Sequence, residues 1–583
     1  MQRRSEKPKD LYLQFSPTCA SCTVAISAVS LILKFDLTEP VILELATIIC
    51  NLFAKQSWAV CDGISTQFRD EFFYVFRQLA SKNPSEICGI LISDCADPTD
   101  PSEAGWRVEI PPKPQKIPRK QRIRKPKNWK DVRPLKVLQL TDLHIDFDYA
   151  YPAEAACGDP ICCHSQTANP VKPAGYWGTV GACDVPYRTV DHMLGHISST
   201  QDVDVLLLTG DFINHADWSY TVEEHLGVLR KLDDLVRRHF PQTPTYWALG
   251  NHEGVPVNSF APHTVHERFW PTWLYKQFRT MGDPRGSYST EVTRGLRIIS
   301  LNTGFCEVTN FFLYINQSDP DSSMSWFVQE LYQAEQAGEA VFVMAHIPPG
   351  DSECLEGWAI NYYRVIQRFS DTIRAQFFGH DHLDFFTVFY EDMHNVTSKP
   401  ISVGYAAPSV TTFENQNPAY RIYDVDPYSS FKILDYTSYS ADLNESTKPT
   451  EEPKWEKLYS VKKEYGLRDL SPKSWNQLAN RIFVDADVKH KFLRNAFRTS
   501  TPACDATCSR QLMCNLRMGH HNASLYCPPE NLHLLDNRAP KPAYLKELSI
   551  EQRTDGWKEG RRRLRIIPFL GIIYHCMEPR LGI

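Results

Sequence analysis

The chain has 583 residues, of which 42% are hydrophobic, 12% aromatic and 23% charged, with 40 prolines. That balance excludes a disordered or fibrous polymer and gives enough chain for two to four domains. The net charge of −6 provides no global basic field, so nucleic acid is not an expected partner.

The first residues, MQRRSEKPKDLYLQF, are charged and carry no apolar h-region or cleavage site, so a secretory signal is expected to be missing from this sequence. Residues 16–98 form a separate unit. Helix-length amphipathic segments (TVAISAVSLILKF, EPVILELATIICNLF, ISTQFRDEFFYVFRQLA, NPSEICGILI) alternate with Cys19, Cys22, Cys50, Cys61, Cys88 and Cys95. Six cysteines allow about 15 connectivities, and spacing does not choose among them. The unit resembles a saposin domain, an all-α module of four or five short helices. That resemblance implies the pairs Cys19–Cys95, Cys22–Cys88 and Cys50–Cys61, and a role at a sphingomyelin-containing membrane surface. Such modules expose an apolar face to lipid. The alternative is that the apolar faces form only the unit's own core.

Residues 99–135 read as a linker. The stretch PPKPQKIPRKQRIRKPKNWKDVRPLK carries eleven Lys/Arg, six Pro and one Asp. Proline keeps it extended and semi-stiff. A solvated spacer is the expected role. The alternative is attraction to anionic lipid, at about 1 kcal/mol per charge near the surface.

Residues 136–440 alternate strand signals with amphipathic helices. One example is TVEEHLGVLRKLDDLVRRHF, with Val222, Leu226, Leu229, Leu232, Leu235 and Val236 at helical spacing. The alternation predicts an α/β (α+β) core, a sheet layered by helices. Five apolar, β-prone runs (LKVLQLTD, VDVLLLTGD, TYWALGN, AVFVMAH, AQFFGH) each lead into polar residues. These are Asp142 and His144, Asp211, Asn251 and His252, His346, and His380 and His382. Ligands placed just past buried strands build a site at one edge of a sheet. Two Asp, four His and one Asn can hold two divalent ions if one Asp bridges them, a pair suited to in-line attack on a phosphoester.

This ordered pattern of D-x-H, G-D, G-N-H-E, H and G-H-x-H resembles the calcineurin-like metallophosphoesterases. The resemblance implies a β-sandwich core with roles residue by residue. Asp142, His144, Asp211 and His382 would hold one metal. Asp211, Asn251, His346 and His380 would hold the other. Zinc is the first expectation for this nitrogen and oxygen set, with manganese and iron compatible. A water or hydroxide between the ions would attack, and His215 or His252 would protonate the leaving group or brace the phosphoryl oxygens. Around this core, Cys157–Cys162 and Cys163–Cys183 are the expected bridges of a loop rimming the site. Cys306–Cys354 would tie the loop after RIISLNT to the loop after His346.

Residues 441–530 read as mixed helix and coil, including SPKSWNQLANRIFVDADVKHKFLRNAF, and are stapled by Cys504, Cys508, Cys514 and Cys527. They resemble the C-terminal helical extension of one subfamily. The tail 531–583, with Arg561-Arg-Arg-Leu-Arg565 and the odd Cys576, suggests no function. Sixteen of the 17 cysteines fall in even local groups, which reads as disulfides formed in an oxidising compartment. The sequons at Asn316, Asn395, Asn444 and Asn522 agree with a lysosomal or secreted glycoprotein. No apolar stretch approaches the ~20 residues that span a bilayer.

Saposin unit, proline-rich linker, metallophosphoesterase core and stapled helical end, in this order, resemble the acid sphingomyelinase family. The segments TGDFINHADW, GNHEGVPVNSF, HIPPG and QFFGHDH carry the same likeness. It implies zinc-dependent hydrolysis of sphingomyelin to ceramide and phosphocholine at acidic pH, by a monomer. One departure is the stretch between Asn258 and Ser287, shorter than is typical of that family. The rival enzyme is a sphingomyelinase-like phosphodiesterase acting on nucleotides or other soluble phosphoesters. A non-enzymatic lipid binder with a dead core would have lost a ligand, and none is lost.

Overall fold

A computed structural model describes residues 39–79, 105–114, 133–263, 285–498 and 504–520, apart from positions 168, 220 and 429, together with the isolated positions 23, 24, 26, 27, 84 and 265. The expected pairs Cys19–Cys95 and Cys22–Cys88, Cys527, Asn522, the basic centre of the linker, most of the short 258–287 stretch and the tail lie outside the described residues.

Two six-stranded sheets form the core. The first runs β14-β13-β12-β1-β4-β5 and the second β10-β11-β9-β8-β7-β6. In the first, β1 (Leu135–Leu140), β4 (Val205–Leu208) and β5 (Thr245–Trp247) are parallel. On its other side β1 pairs antiparallel with β12 (Ala419–Val425), so that Leu138 faces Ile422. β13 (Ile433–Ser440) and β14 (Glu456–Ser460) complete that sheet. In the second, β7 (Leu296–Ser300), β8 (Ala340–Met344), β9 (Ile373–Phe378) and β11 (Pro400–Ala406) are parallel. β6 (Tyr288–Thr293) and β10 (Phe385–Tyr390) are its antiparallel edges. The short β2 (Ile145–Asp146) and β3 (Val185–Pro186) pair with each other.

All of Val205–Leu208 and all of Ala340–Met344 are buried, as expected of parallel strands covered on both faces. The sheets meet through their side chains. Phe377 of β9 packs edge-on against Tyr423 of β12, and Gln139 of β1 donates to the Phe378 carbonyl. At the same junction Arg421 is fully buried and pairs with Asp384, which also accepts from Ser438 and Tyr459. The helix-layered sheet expected from the alternating pattern, and the sandwich that the resemblance implied, are therefore present.

Helices α1 (Glu39–Ile49), α2 (Trp58–Gln67) and α3 (Arg69–Leu79) form the described part of the N-terminal unit, with Cys50 and Cys61 disulfide-bonded. Its inner residues Val60, Ile64, Phe68 and Val75 belong to the same buried core as the sheets, so the unit is seated on the sandwich. The linker is not solvated throughout. Asn361 accepts from the amide of Val108, and Arg368 donates to the Pro111 carbonyl. The polar side chains of one helix thus capture its extended backbone.

α4 (Tyr187–Thr200) and α5 (Val222–His239) pack on each other. α5 begins with a capping box between Thr221 and Glu224. Its buried stripe is rotated from the expected one: His225 and Val228 are inside, while Val222 and Leu226 are half-buried at the margin. α6 (Ser323–Ala337) covers β7 and β8, and α7 (Glu356–Phe369) packs on α6 and β10.

Residues 441–530 are not wholly helix and coil, because β14 extends the first sheet from within them. α8 (Val461–Tyr465), α9 (Pro472–Val484), α10 (Ala486–Phe497) and α11 (Ala506–Asn515) follow. α9 lies on β10 and β11, where fully buried Trp475 contacts Phe386 and Tyr405. Cys157–Cys162, Cys163–Cys183, Cys306–Cys354 and Cys504–Cys508 are bonded, and Cys514 is also in a disulfide. Among the described residues no helix is long and apolar enough to cross a membrane.

Candidate metal centre and active site

Five loops at the C-terminal ends of β1, β4, β5, β8 and β9 converge where the two sheets meet. They bring together Asp142, His144, Asp211, Asn251, His346, His380 and His382, with His215 and His252 beside them. The ligand-type atoms of Asp211, His346 and His380 lie within 4.8 Å of one another, as do those of Asp211, His144 and His252. Asp211 is common to both groups. Asn251 Oδ1 is 3.1 Å from His380 Nδ1, and Asp142 Oδ1 is 3.7 Å from His382 Nε2.

Glycines let the loops approach. A Cβ on Gly250 would fall 2.0 Å from Asp211 Oδ1. Gly210, at φ +97°, could not carry one without meeting the backbone of Gly250. Asp142, His144, Asp211, His380 and His382 all adopt positive φ, between 40° and 75°. Such backbone is unfavourable for residues with a Cβ, and it persists only where its surroundings impose it.

Hydrogen bonds fix the rings. His144 Nδ1 lies 2.8 Å from the Ile213 carbonyl and His346 Nδ1 2.7 Å from that of Thr209. Each ring therefore donates through Nδ1 and turns Nε2 inward. Burial, and then the neighbouring His215, holds His144 and His382 well below the usual imidazole range. Their Nε2 atoms face each other at 3.3 Å, and buried His346 Nε2 lies 3.1 Å from Asp211 Oδ2 without a hydrogen bond. Burial would raise the Asp211 carboxyl, but His346 and then His252 hold it well below the usual carboxylate range. Buried imidazole nitrogens and carboxylate oxygens converging this closely are the donor set of a cation site, and these residues fit a pair of divalent ions.

Four residues not singled out from the sequence complete the site. Asp184 accepts from the His215 amide at 2.7 Å and from its Nδ1 at 2.9 Å, and receives the Thr411 hydroxyl at 2.7 Å. His215 itself stacks between His144 and Phe413, at 3.7 and 4.2 Å between ring centres. Asp217 lies 3.1 Å from His252 Nδ1. Burial would lower His252, but Asp217 and then Asp211 push it up to about 10. Glu253 accepts from the amides of Asp211, Phe212 and Gly250 and so clamps two ligand loops; burial pushes its carboxyl up to about 7. Arg498, beyond α10, is buried and donates to the His382 carbonyl at 3.1 Å and to Ser409 Oγ at 3.0 Å. Glu253 stood inside a recognised motif. The other three are distant in sequence from the groups they hold and carried no local signal.

The profile of the calcineurin-like phosphoesterases matches residues 135–384, and that of the acid sphingomyelin phosphodiesterase C-terminal region matches 399–528. Sphingomyelin phosphodiesterase 1 of Caenorhabditis elegans is 65% identical over 88% of this chain and 93% of its own length. The chain belongs to the sphingomyelin phosphodiesterase family. Within that family the human sphingomyelin phosphodiesterase is 33% identical over 92% of this chain and 87% of its own. The human acid sphingomyelinase-like phosphodiesterase 3b is 29% identical and covers 92% of itself but only 69% of this chain.

Proposed function

We propose that this chain hydrolyses sphingomyelin to ceramide and phosphocholine in an acidic compartment, with two divalent ions, zinc first, at the seam of the two sheets. The observation that carries the reading is that Asp211 belongs to two clusters of ligand-type atoms, one with His346 and His380 and one with His144 and His252. Asp142, His144, Asp211 and His382 would hold one ion, and Asp211, Asn251, His346 and His380 the other. Such a pair supplies Lewis-acid charge to a phosphodiester and lowers the pKa of water.

The chain's own residues do the rest. Asp184 holds His215 through Nδ1 and leaves Nε2 free to face a phosphoryl oxygen or the leaving alkoxide. Asp217 keeps His252 protonated, so that it can donate a proton to the ceramide oxygen. Lipid access would fall to the N-terminal unit. Val41, Leu45, Ile48 and Leu52, at helical spacing along α1 and the turn after it, are exposed together with Trp58. An apolar stripe facing water suits a membrane surface. The three sequons Asn316, Asn395 and Asn444 are also exposed, in keeping with glycosylation in a lysosomal or secreted protein.

The test is phosphocholine release from sphingomyelin vesicles at about pH 5, where an ordinary His is protonated, with and without chelator. A soluble nucleotide diester runs in parallel, and metal content is measured on the same samples. Wild type should turn over the lipid only when loaded with metal, and His346→Ala should lose both metal and turnover. Hydrolysis of the nucleotide but not the lipid would overturn the substrate assignment. Full activity in a metal-free sample would overturn the metal centre.

A further inference from the structure

The N-terminal helices are fastened to the sandwich around one buried acid. Glu71 of α3 is 3% exposed. It is hydrogen-bonded to the hydroxyl of Ser259, which lies in the loop after the Asn251 motif, and is approached by the amide of Phe311. Its other oxygen has no hydrogen-bond partner. Around it Phe68 and Phe72 pack against Phe311, at 5.7 and 6.4 Å between ring centres, and Tyr74 packs against Phe312.

No cation balances this carboxyl among the described residues. Arg69 and Arg77 of the same helix turn outward to Glu39 of α1. Asp70 on α3 and Asp62 on α2 are exposed. Tyr314, on the turn that carries Phe311, gives its hydroxyl to the Val308 carbonyl. Val255–Phe260 holds no titratable side chain, and farther along that loop His263 is paired with Asp321.

We propose that Glu71 is a proton-operated latch: protonated, it keeps the N-terminal helical unit seated on the sandwich, and loss of its proton towards alkaline pH releases the unit. A solvated Glu71 on a released unit would titrate near 4.5, whereas burial pushes the seated one up to about 8. The seated form therefore holds the proton more tightly. Docking is at full strength below pH 4.5 and weakens between 4.5 and 8, by up to about tenfold per unit, because there the released carboxyl ionises while the seated one must keep its proton. The latch reaches the site as well. A Cβ on Gly63 of α2 would lie 2.4 Å from the Trp218 carbonyl, so the seated unit lies close against the loop that carries His215 and Asp217.

Hydrogen–deuterium exchange of the full chain tests this without reference to activity. The readout is the peptide spanning 308–316, which lies under α3, labelled at pH 5.5 and pH 8 with correction for intrinsic rates. In wild type its exchange should rise at least about tenfold at the higher pH. In Glu71→Gln it should not rise. Glu71→Leu, which fills the same space without titrating, provides a second probe should the glutamine variant fold poorly, and it too should stay protected at both pH values. Equal protection of wild type at both pH values, or release of the substituted proteins at the wild-type midpoint, would overturn the latch.

Discussion

His215 shows how much a single side chain owes to partners distant in sequence. Its ring is clasped between His144 and Phe413, and its Nδ1 is fixed by Asp184, which in turn is held by Thr411. Asp184→Asn should keep the fold and the metal content. It should lower kcat by about 10–100-fold with little change in KM, because the ring loses its preferred tautomer rather than its place. A fall in bound metal equal to the fall in rate would show instead that Asp184 serves the ligand cluster. The candidate ligands themselves were legible in the sequence, because each stands two to four residues beyond a strand and apolar runs carry that signal locally. Asp184 and Asp217 were not legible, because their meaning depends on which imidazole the fold brings to them.

Among the elements, the long buried strands that lead into ligands were readable as such. β14 was not. Its sequence EKLYS is polar and half-exposed, an edge strand whose identity comes from pairing with β13. The residue that closes α10 does more than end the helix. Arg498 spans from that helix to the carbonyl of His382 and to Ser409. Arg498→Ala should therefore weaken metal retention by about 10–100-fold in a competition assay with a chelator, although Arg498 touches no candidate ligand side chain. Unchanged retention would leave Arg498 a packing residue only. The captured stretch of linker belongs to the same lesson. Trp106, Val108 and Pro111 look like spacer until Asn361 and Arg368 bond their backbone.

At the scale of the whole molecule, the α/β class followed from alternation alone, but the seating of the N-terminal unit did not. Its contacts, Glu71 with Ser259 and Gly63 with Trp218, join residues whose types suggest nothing in isolation. The pairing of β1 with β12 has a different kind of consequence, one of timing. Tyr423 and Gln139 are hydrogen-bonded across 284 residues, so the first sheet cannot close until the ribosome has passed β12. Until then β1, with Val137, Leu138 and Leu140 destined for the core, waits as a raw edge open to any passing strand. Contacts this remote in sequence form slowly and leave intermediates prone to self-association. A chain ended after residue 406 would retain every candidate ligand but lose β12, β13 and β14, and it should be recovered only in the insoluble fraction. A soluble, monomeric product would mean that the second sheet shields the first by itself. On this account, the yield of folded protein is limited by how long β1 must be shielded before β12 arrives.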